Sequence, residues 1–146
     1  MKYNELGGTG EKISIISMGG HEYLPDKRSR GFNEDLTRPV TQGEIFDGFG
    51  QEQRKTVLRA AFDNGINFFD VTMDSEKEAL GRNLREMPPP YPILIQTRPE
   101  GFVYTYDEFN AKMARYDLLK AEAERILTLL RRDTIDFFNL AFMKSA

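Results

Sequence analysis

The side chains best placed to do chemistry stand at the ends of three short stretches. Asp70 closes Ile66-Asn67-Phe68-Phe69-Asp70, Arg98 follows Ile93-Leu94-Ile95-Gln96-Thr97, and His21 follows the pair Gly19-Gly20. Cysteine is absent, which excludes disulfides, thiolate nucleophiles, iron–sulfur ligation and cysteine-based zinc sites. With His21 the single histidine, a histidine-rich metal site has no basis. Chemistry is left to carboxylates, lysine, arginine, tyrosine, backbone groups or a cofactor. Asp70 reads as a functional carboxylate or as the salt-bridge partner of Arg98. His21 reads as a solvated loop residue or as one that touches a ligand. Asp70, Asp74 and Glu76 are a poor cation site, because hard cations take about six oxygen ligands and Glu76 suits a first helical turn. No metal is expected.

The elements that must position these residues alternate. Ile13–Met18 is apolar and β-branched, ends in glycines and predicts a buried strand. Before it, Gly7-Gly8-Thr9-Gly10 predicts the turn of a small hairpin; a phosphate loop would need a following Lys-Ser/Thr and a strand–loop–helix order. Residues 22–50 are charged and rich in Gly, Pro and Asp, and predict a long insertion loop. Within it Lys27, Arg28 and Arg30 would suit a phosphorylated ligand, were they not interspersed with Asp26, Glu34 and Asp35.

Helix signals follow over 51–64, with Val57, Leu58, Ala61 and Phe62 at helical spacing and Gly65 as the cap. Ser75-Glu76-Lys77-Glu78 reads as a capping box for a helix with the apolar stripe Leu80, Leu84 and Met87, stopped by Pro88-Pro89-Pro90. Asp117 opens a long helix with Leu119, Ala123, Ile126, Leu127 and Leu130 on one face, closed by Arg131-Arg132, which complement its dipole. Ile135–Phe142 predicts a fourth strand. Short apolar strands without polar alternation, separated by helices, indicate a parallel α/β sheet buried on both faces. A barrel-type (β/α) repeat is favoured over a Rossmann fold, the alternative, because no glycine-rich dinucleotide fingerprint follows the first strand.

Several stretches resemble one family, the aldo-keto reductases. The first twenty residues, MKYNELGGTGEKISIISMGG, are similar to that family's N-terminal hairpin and first barrel strand. Ala61 to Asp70 resembles its second helix-to-strand junction, Ser75 to Arg82 the segment after it, and Ile135 to Leu140 its fourth strand. The resemblance covers nearly the whole chain apart from residues 22–50. It implies the N-terminal half of a TIM-type barrel, and reduction of a small carbonyl compound with NADP(H) as cofactor.

Carried over by residue, the resemblance fills one catalytic role of four. Asp70 matches the aspartate. Ser75 stands where the tyrosine acid is expected, Arg98 replaces the lysine, and Ala141 replaces the histidine. Arginine keeps the charge but holds its proton, with a pKa above about 12. Tyr104 and Tyr106 lie in the following loop as substitute acids or packing residues. Gly19, Gly20 and His21 fall near where a nicotinamide would sit. A complete barrel has about 250 residues and eight strands, whereas this chain has 146. The isolated chain is therefore expected to be inactive and to bind NADP(H) weakly or not at all. Its open strand edges predict self-association, or a partner supplying the second half-barrel; the alternative reading is a non-catalytic binding or assembly module.

Composition limits the other partners. Twenty basic and 23 acidic residues give a net charge of −3, without the electrostatic footprint of a nucleic-acid binder. No apolar run approaches the ~18 residues of a membrane span, and the N-terminus lacks a signal-peptide core, so a cytoplasmic protein is expected. On adjacent parallel strands about 4.8 Å apart, Asp70 and Arg98 are expected to meet and to be buried near the barrel mouth.

Overall fold

A computed structural model describes residues 1–21, 52–102, 107, 109 and 111–140. The chain opens with an antiparallel hairpin, β1 (Tyr3–Glu5) and β2 (Lys12–Ser14). Gly7 and Gly10 have φ of 53° and 79°, so the glycine run is a turn, as its sequence predicts. The hairpin is tied to the start of a later strand: Tyr3 Oη donates to the Gly65 carbonyl at 2.7 Å, and Asn67 accepts from Ser14 N–H and donates to the Lys12 carbonyl, both at 2.8 Å.

The main sheet contains β3 (Met18–Gly19), β4 (Phe68–Val71), β5 (Leu94–Thr97) and β6 (Phe137–Phe138), in that order and all parallel. Among the described residues, one long helix lies between each consecutive pair: α1 (Glu52–Asp63), α2 (Asp74–Glu86) and α3 (Tyr116–Leu130). This is the α/β architecture of a partial (β/α) barrel.

The strands bury one face far more than the other. Phe69, Val71 and Ile95 are at most 1% exposed and pack with Leu58, Phe62, Leu80, Ile126 and Leu130 from the three helices. Phe68 and Leu94 are paired across β4 and β5 and remain half-buried. Phe68 stacks edge-on against Phe137, with ring centroids 5.6 Å apart. Period-two alternation thus sends these side chains to the face that lines a barrel interior.

Several sequence expectations are corrected here. The run Ile13–Met18 is not one buried strand. Its first residues belong to the hairpin, Ile15 and Ile16 are 53% and 55% exposed, and only Met18–Gly19 joins the main sheet. Ser14 divides the run: its N–H donates to Asn67 Oδ1 at 2.8 Å and its hydroxyl to the Ile16 carbonyl at 2.7 Å. Val57 faces solvent although Leu58, Ala61 and Phe62 are buried. The predicted fourth strand is described as the short β6, followed by Asn139 N–H donating to Thr97 O at 2.8 Å.

Helices α2 and α3 meet at Gly81. A methyl group there would stand 2.7 Å from the Leu130 carbonyl carbon. Backbone on backbone leaves no room to relax, so the small residue sets the distance between these two helices.

Candidate active site at the carboxyl ends of the strands

The carboxyl ends of the four strands form the mouth, the end where barrel enzymes hold their active sites. Asp70 is paired in register with Gly19 on one side and Gln96 on the other. Gly20 N–H donates to the Asp70 carbonyl at 2.7 Å. On the same face, Arg98 Nη2 lies 3.4 Å from Asp70 Oδ2 and 3.5 Å from Oδ1, and Gln96 Nε2 lies 3.4 Å from Oδ1. The expected meeting of Asp70 and Arg98 therefore occurs. Its expected burial does not: their side chains are 34% and 21% exposed, and one guanidinium nitrogen rather than a fork makes the contact. Arg98 Nε, by contrast, is buried with no hydrogen-bond partner.

Gly19 and Gly20 differ in kind. A methyl group on Gly19 would meet nothing within 4 Å, whereas one on Gly20 would stand 2.8 Å from Val71 Cγ1 and 2.9 Å from Glu76 Cβ. The chain at Gly20 lies directly on the start of α2. There His21 Nδ1 is 3.0 Å from Glu76 Oε1. Glu76 is 4% exposed, and its other oxygen accepts from the N–H of Thr72 at 2.6 Å and of Met73 at 3.1 Å. Burial works to raise this carboxyl pKa, but the His21 hydrogen bond and the two backbone donors together hold it below the ordinary value. An ionised carboxylate only accepts, so the His21 proton in this contact sits on Nδ1. Arg54 of α1 adds guanidinium contacts to the Gly19 and His21 carbonyls.

These bonds correct the capping expectation. Helix α2 starts at Asp74 with Met73 as its N-cap, and Glu76, not Glu78, reaches back to the cap N–H. Ser75 is fully buried and its hydroxyl has no partner. It lies within the packed start of the helix, so it presents nothing at the mouth. Asp74 faces away into a buried ionic network. Its Oδ1 is 3.0 Å from Lys77 Nζ and from Arg125 Nη2, and its backbone N–H donates to Glu100 Oε2 at 2.5 Å. Glu122 pairs with the same Arg125 at 2.6 Å. Asp74 and Lys77 have no side-chain exposure at all. Burial, followed by the Asp74 charge, pushes the Glu100 carboxyl up to about 7. Burial also lowers Lys77 below the ordinary lysine value, against the pull of Asp74.

Among the described residues, no group of three or more His, Asp or Glu side chains is placed to hold a metal ion. Tyr104, Tyr106, Ala141 and the basic residues Lys27, Arg28 and Arg30 lie outside the described residues. Sequence reasoning missed the roles of Glu76, Gln96 and Arg54 at the mouth. Only Gln96 left a usable signal, since it lies two residues before Arg98 on a strand, where alternate side chains share a face.

No protein-family model matches the chain, and no curated protein matches it. Among solved structures, the glycerol dehydrogenase AKR11B4 from Gluconobacter oxydans is similar, with a TM-score of 0.60 and 21% sequence identity. The likeness covers 93% of this chain and 38% of that one. It is a likeness of fold: the four-stranded parallel sheet and its helices correspond to part of an aldo-keto reductase barrel. No helix among the described residues is long and apolar enough to cross a membrane.

Proposed function

We propose that this chain provides the first four (β/α) units of an aldo-keto-reductase-like barrel, with oxidoreductase chemistry on a small carbonyl compound once the barrel is completed. The observation that carries this reading is the juxtaposition of Asp70 and Arg98 at the mouth, 3.4 Å apart with 34% and 21% of the two side chains exposed. They occupy the positions of the aspartate and lysine in the family pattern.

Arg98 supplies a fixed positive charge to stabilise negative charge developing on a carbonyl oxygen, but it cannot deliver the proton that oxygen needs. Among the described residues at the mouth, His21 offers an imidazole, a ring with two nitrogens that can carry or accept a proton. Glu76 orients it through Nδ1. In this reading Asp70 and Gln96 hold Arg98, Arg98 polarises the carbonyl, and His21 as the imidazolium gives its Nε2 proton to the carbonyl oxygen while Nδ1–H stays on Glu76.

A nicotinamide cofactor, NADP(H) by resemblance, supplies the hydride to the carbonyl carbon when bound. The described residues suit only its nicotinamide end, where Gly19 leaves open space over the backbone. They form no cradle for its phosphates, so the chain alone is expected to bind it weakly. The remaining barrel units are then needed for turnover, whether they are continuous with this chain or supplied by a partner.

The test is carbonyl-dependent NADPH oxidation by residues 1–146 alone and by the same residues joined to the remaining half of an aldo-keto reductase barrel. No turnover is expected from the chain alone. In the completed barrel, His21→Asn or Arg98→Met should lower turnover by about a hundredfold, the ordinary scale of acid–base and electrostatic contributions. A folded, NADPH-binding barrel without turnover contradicts the reading.

A second reading, a non-catalytic assembly module, draws on the barrel-facing side of the sheet. Phe68, Leu94 and Phe137 are half-buried there, and such a face favours association with a second copy or a complementary half-barrel. Light scattering coupled to size exclusion tests it. A mass above one chain is expected, and a monomer at all concentrations contradicts it.

A further inference from the structure

We propose that the end of the fold opposite the mouth carries a binding site for a small organic phosphate monoester. A cavity of about 430 Å³ opens there between the carboxyl ends of α2 and α3 and the residue leading into β5. Its apolar floor includes Leu84, Ile93 and Leu130, and its rim carries Arg85, Arg131 and Arg132. Among the described residues no carboxylate lines it, although Glu78 and Asp136 stand beside Arg131 and Arg132. The volume lies within the range of small-molecule sites. Three guanidiniums around an apolar floor, in a chain of net charge −3, fit a dianionic head on a short hydrocarbon body.

A simpler role for Arg131 and Arg132 would be to cap the end of α3. The backbone already does much of this, because Arg131 N–H donates to the Thr128 carbonyl at 3.2 Å and Arg132 N–H to the Leu127 carbonyl at 3.1 Å. Their side chains reach elsewhere. Arg131 Nη2 lies 3.3 Å from Glu78 Oε1, and Arg132 Nη2 lies 3.2 Å from Asp136 Oδ2. Each is a contact through one nitrogen of a group with five donors. Arg85 is exposed on the α2 side of the cavity.

The backbone gives an independent indication. Arg131 has φ of 55°, the only positive φ at a non-glycine position among the described residues. This is the helix-terminating position that glycine fills best. An arginine stands there against that preference, at a position that lines the cavity. Strained residues of this kind concentrate at ligand sites.

Isothermal calorimetry with hexyl phosphate tests the proposal, with inorganic phosphate and hexan-1-ol as the head and body alone. Hexyl phosphate should bind at least about tenfold more tightly than inorganic phosphate, since burying two methylenes already supplies that factor. Hexan-1-ol should give no saturable heat. Arg131→Gly should weaken hexyl phosphate about tenfold without lowering the melting temperature, because glycine suits the left-handed position. Arg85→Gln, on an exposed helix surface, should weaken it in the same direction. No saturable binding at millimolar concentration overturns the site. Equal affinity for inorganic phosphate, or undiminished binding by either variant, does so as well.

Discussion

Asp70 and Asp74 are separated by three residues and lie in opposite electrostatic settings. Asp70 meets Arg98 at the mouth, with 34% and 21% of the two side chains exposed. Asp74 meets Lys77 and Arg125 behind the start of α2, where the Asp74 and Lys77 side chains are wholly buried. Water screens the first pair, which is worth about 1 kcal/mol or less to the fold. Asp74 and Lys77 have given up their hydration, so removing the Asp74 charge leaves the Lys77 ammonium buried without its nearest counter-charge. The comparison separates charge held for stability from charge left accessible to a ligand. Only Thr72 and Met73 separate the end of β4 from the start of α2, and they carry the chain from one setting to the other.

The largest expected effect comes from breaking the buried network. Asp74→Asn leaves the inaccessible Lys77 ammonium without its principal counter-charge. It should cost about 3–5 kcal/mol in urea unfolding at pH 7. A loss below about 1 kcal/mol would remove the distinction between the two regions.

The next effect is a pH dependence. Burial first, and then the neighbouring Asp74 charge, raise the Glu100 carboxyl to about 7, against the pull of Lys77 and Arg125. Between its unfolded value of 4.5 and about 7, the native state binds the proton and the unfolded chain does not. The stability contribution is fully present below the unfolded value and is lost as pH rises through the folded one, by about 3 kcal/mol in total. Glu100→Gln keeps an acceptor for the Asp74 N–H and removes the titration. The variant should gain on the parent as pH rises from 5 to 8, read from urea midpoints across that range. Parallel pH profiles for the two proteins would contradict this.

The smallest effect belongs to the mouth. Arg98→Met should change stability by no more than about 1 kcal/mol, and added salt should leave the parent's urea midpoint nearly unchanged through this pair. A loss comparable to that of Asp74→Asn would make Arg98 a structural residue.

These two regions were unequally legible in the sequence. Asp70 and Arg98 close two short strands that succeed each other in a (β/α) repeat, so adjacency follows from parallel register alone. Gly65 could be read as a cap because the chain must take φ of 78° there. The buried network could not be read. Asp74 and Lys77 are three residues apart on a helix, a spacing that normally marks a solvated face. Only the packing of α3 across α2 at Gly81 brings Arg125 and Glu122 over them and excludes water. The same dependence on tertiary packing misplaced the capping box: Glu76 is the residue that Gly20 and His21 fold against, and no local rule distinguishes it from Glu78. In Ile13–Met18 composition favoured one strand, while the long-range bonds between Ser14 and Asn67 divide it.

The unfolding free energy of Asp70→Asn, compared with Asp74→Asn in urea at pH 7, tests the separation of accessible from structural charge most directly. The Asp70 variant should stay within about 1 kcal/mol of the parent, as a partly exposed pair with a long contact through one guanidinium nitrogen predicts, while the Asp74 variant loses several times more. Equal losses would contradict the account, because Asp70 would then be held for stability and the mouth would lose the group on which its chemistry rests.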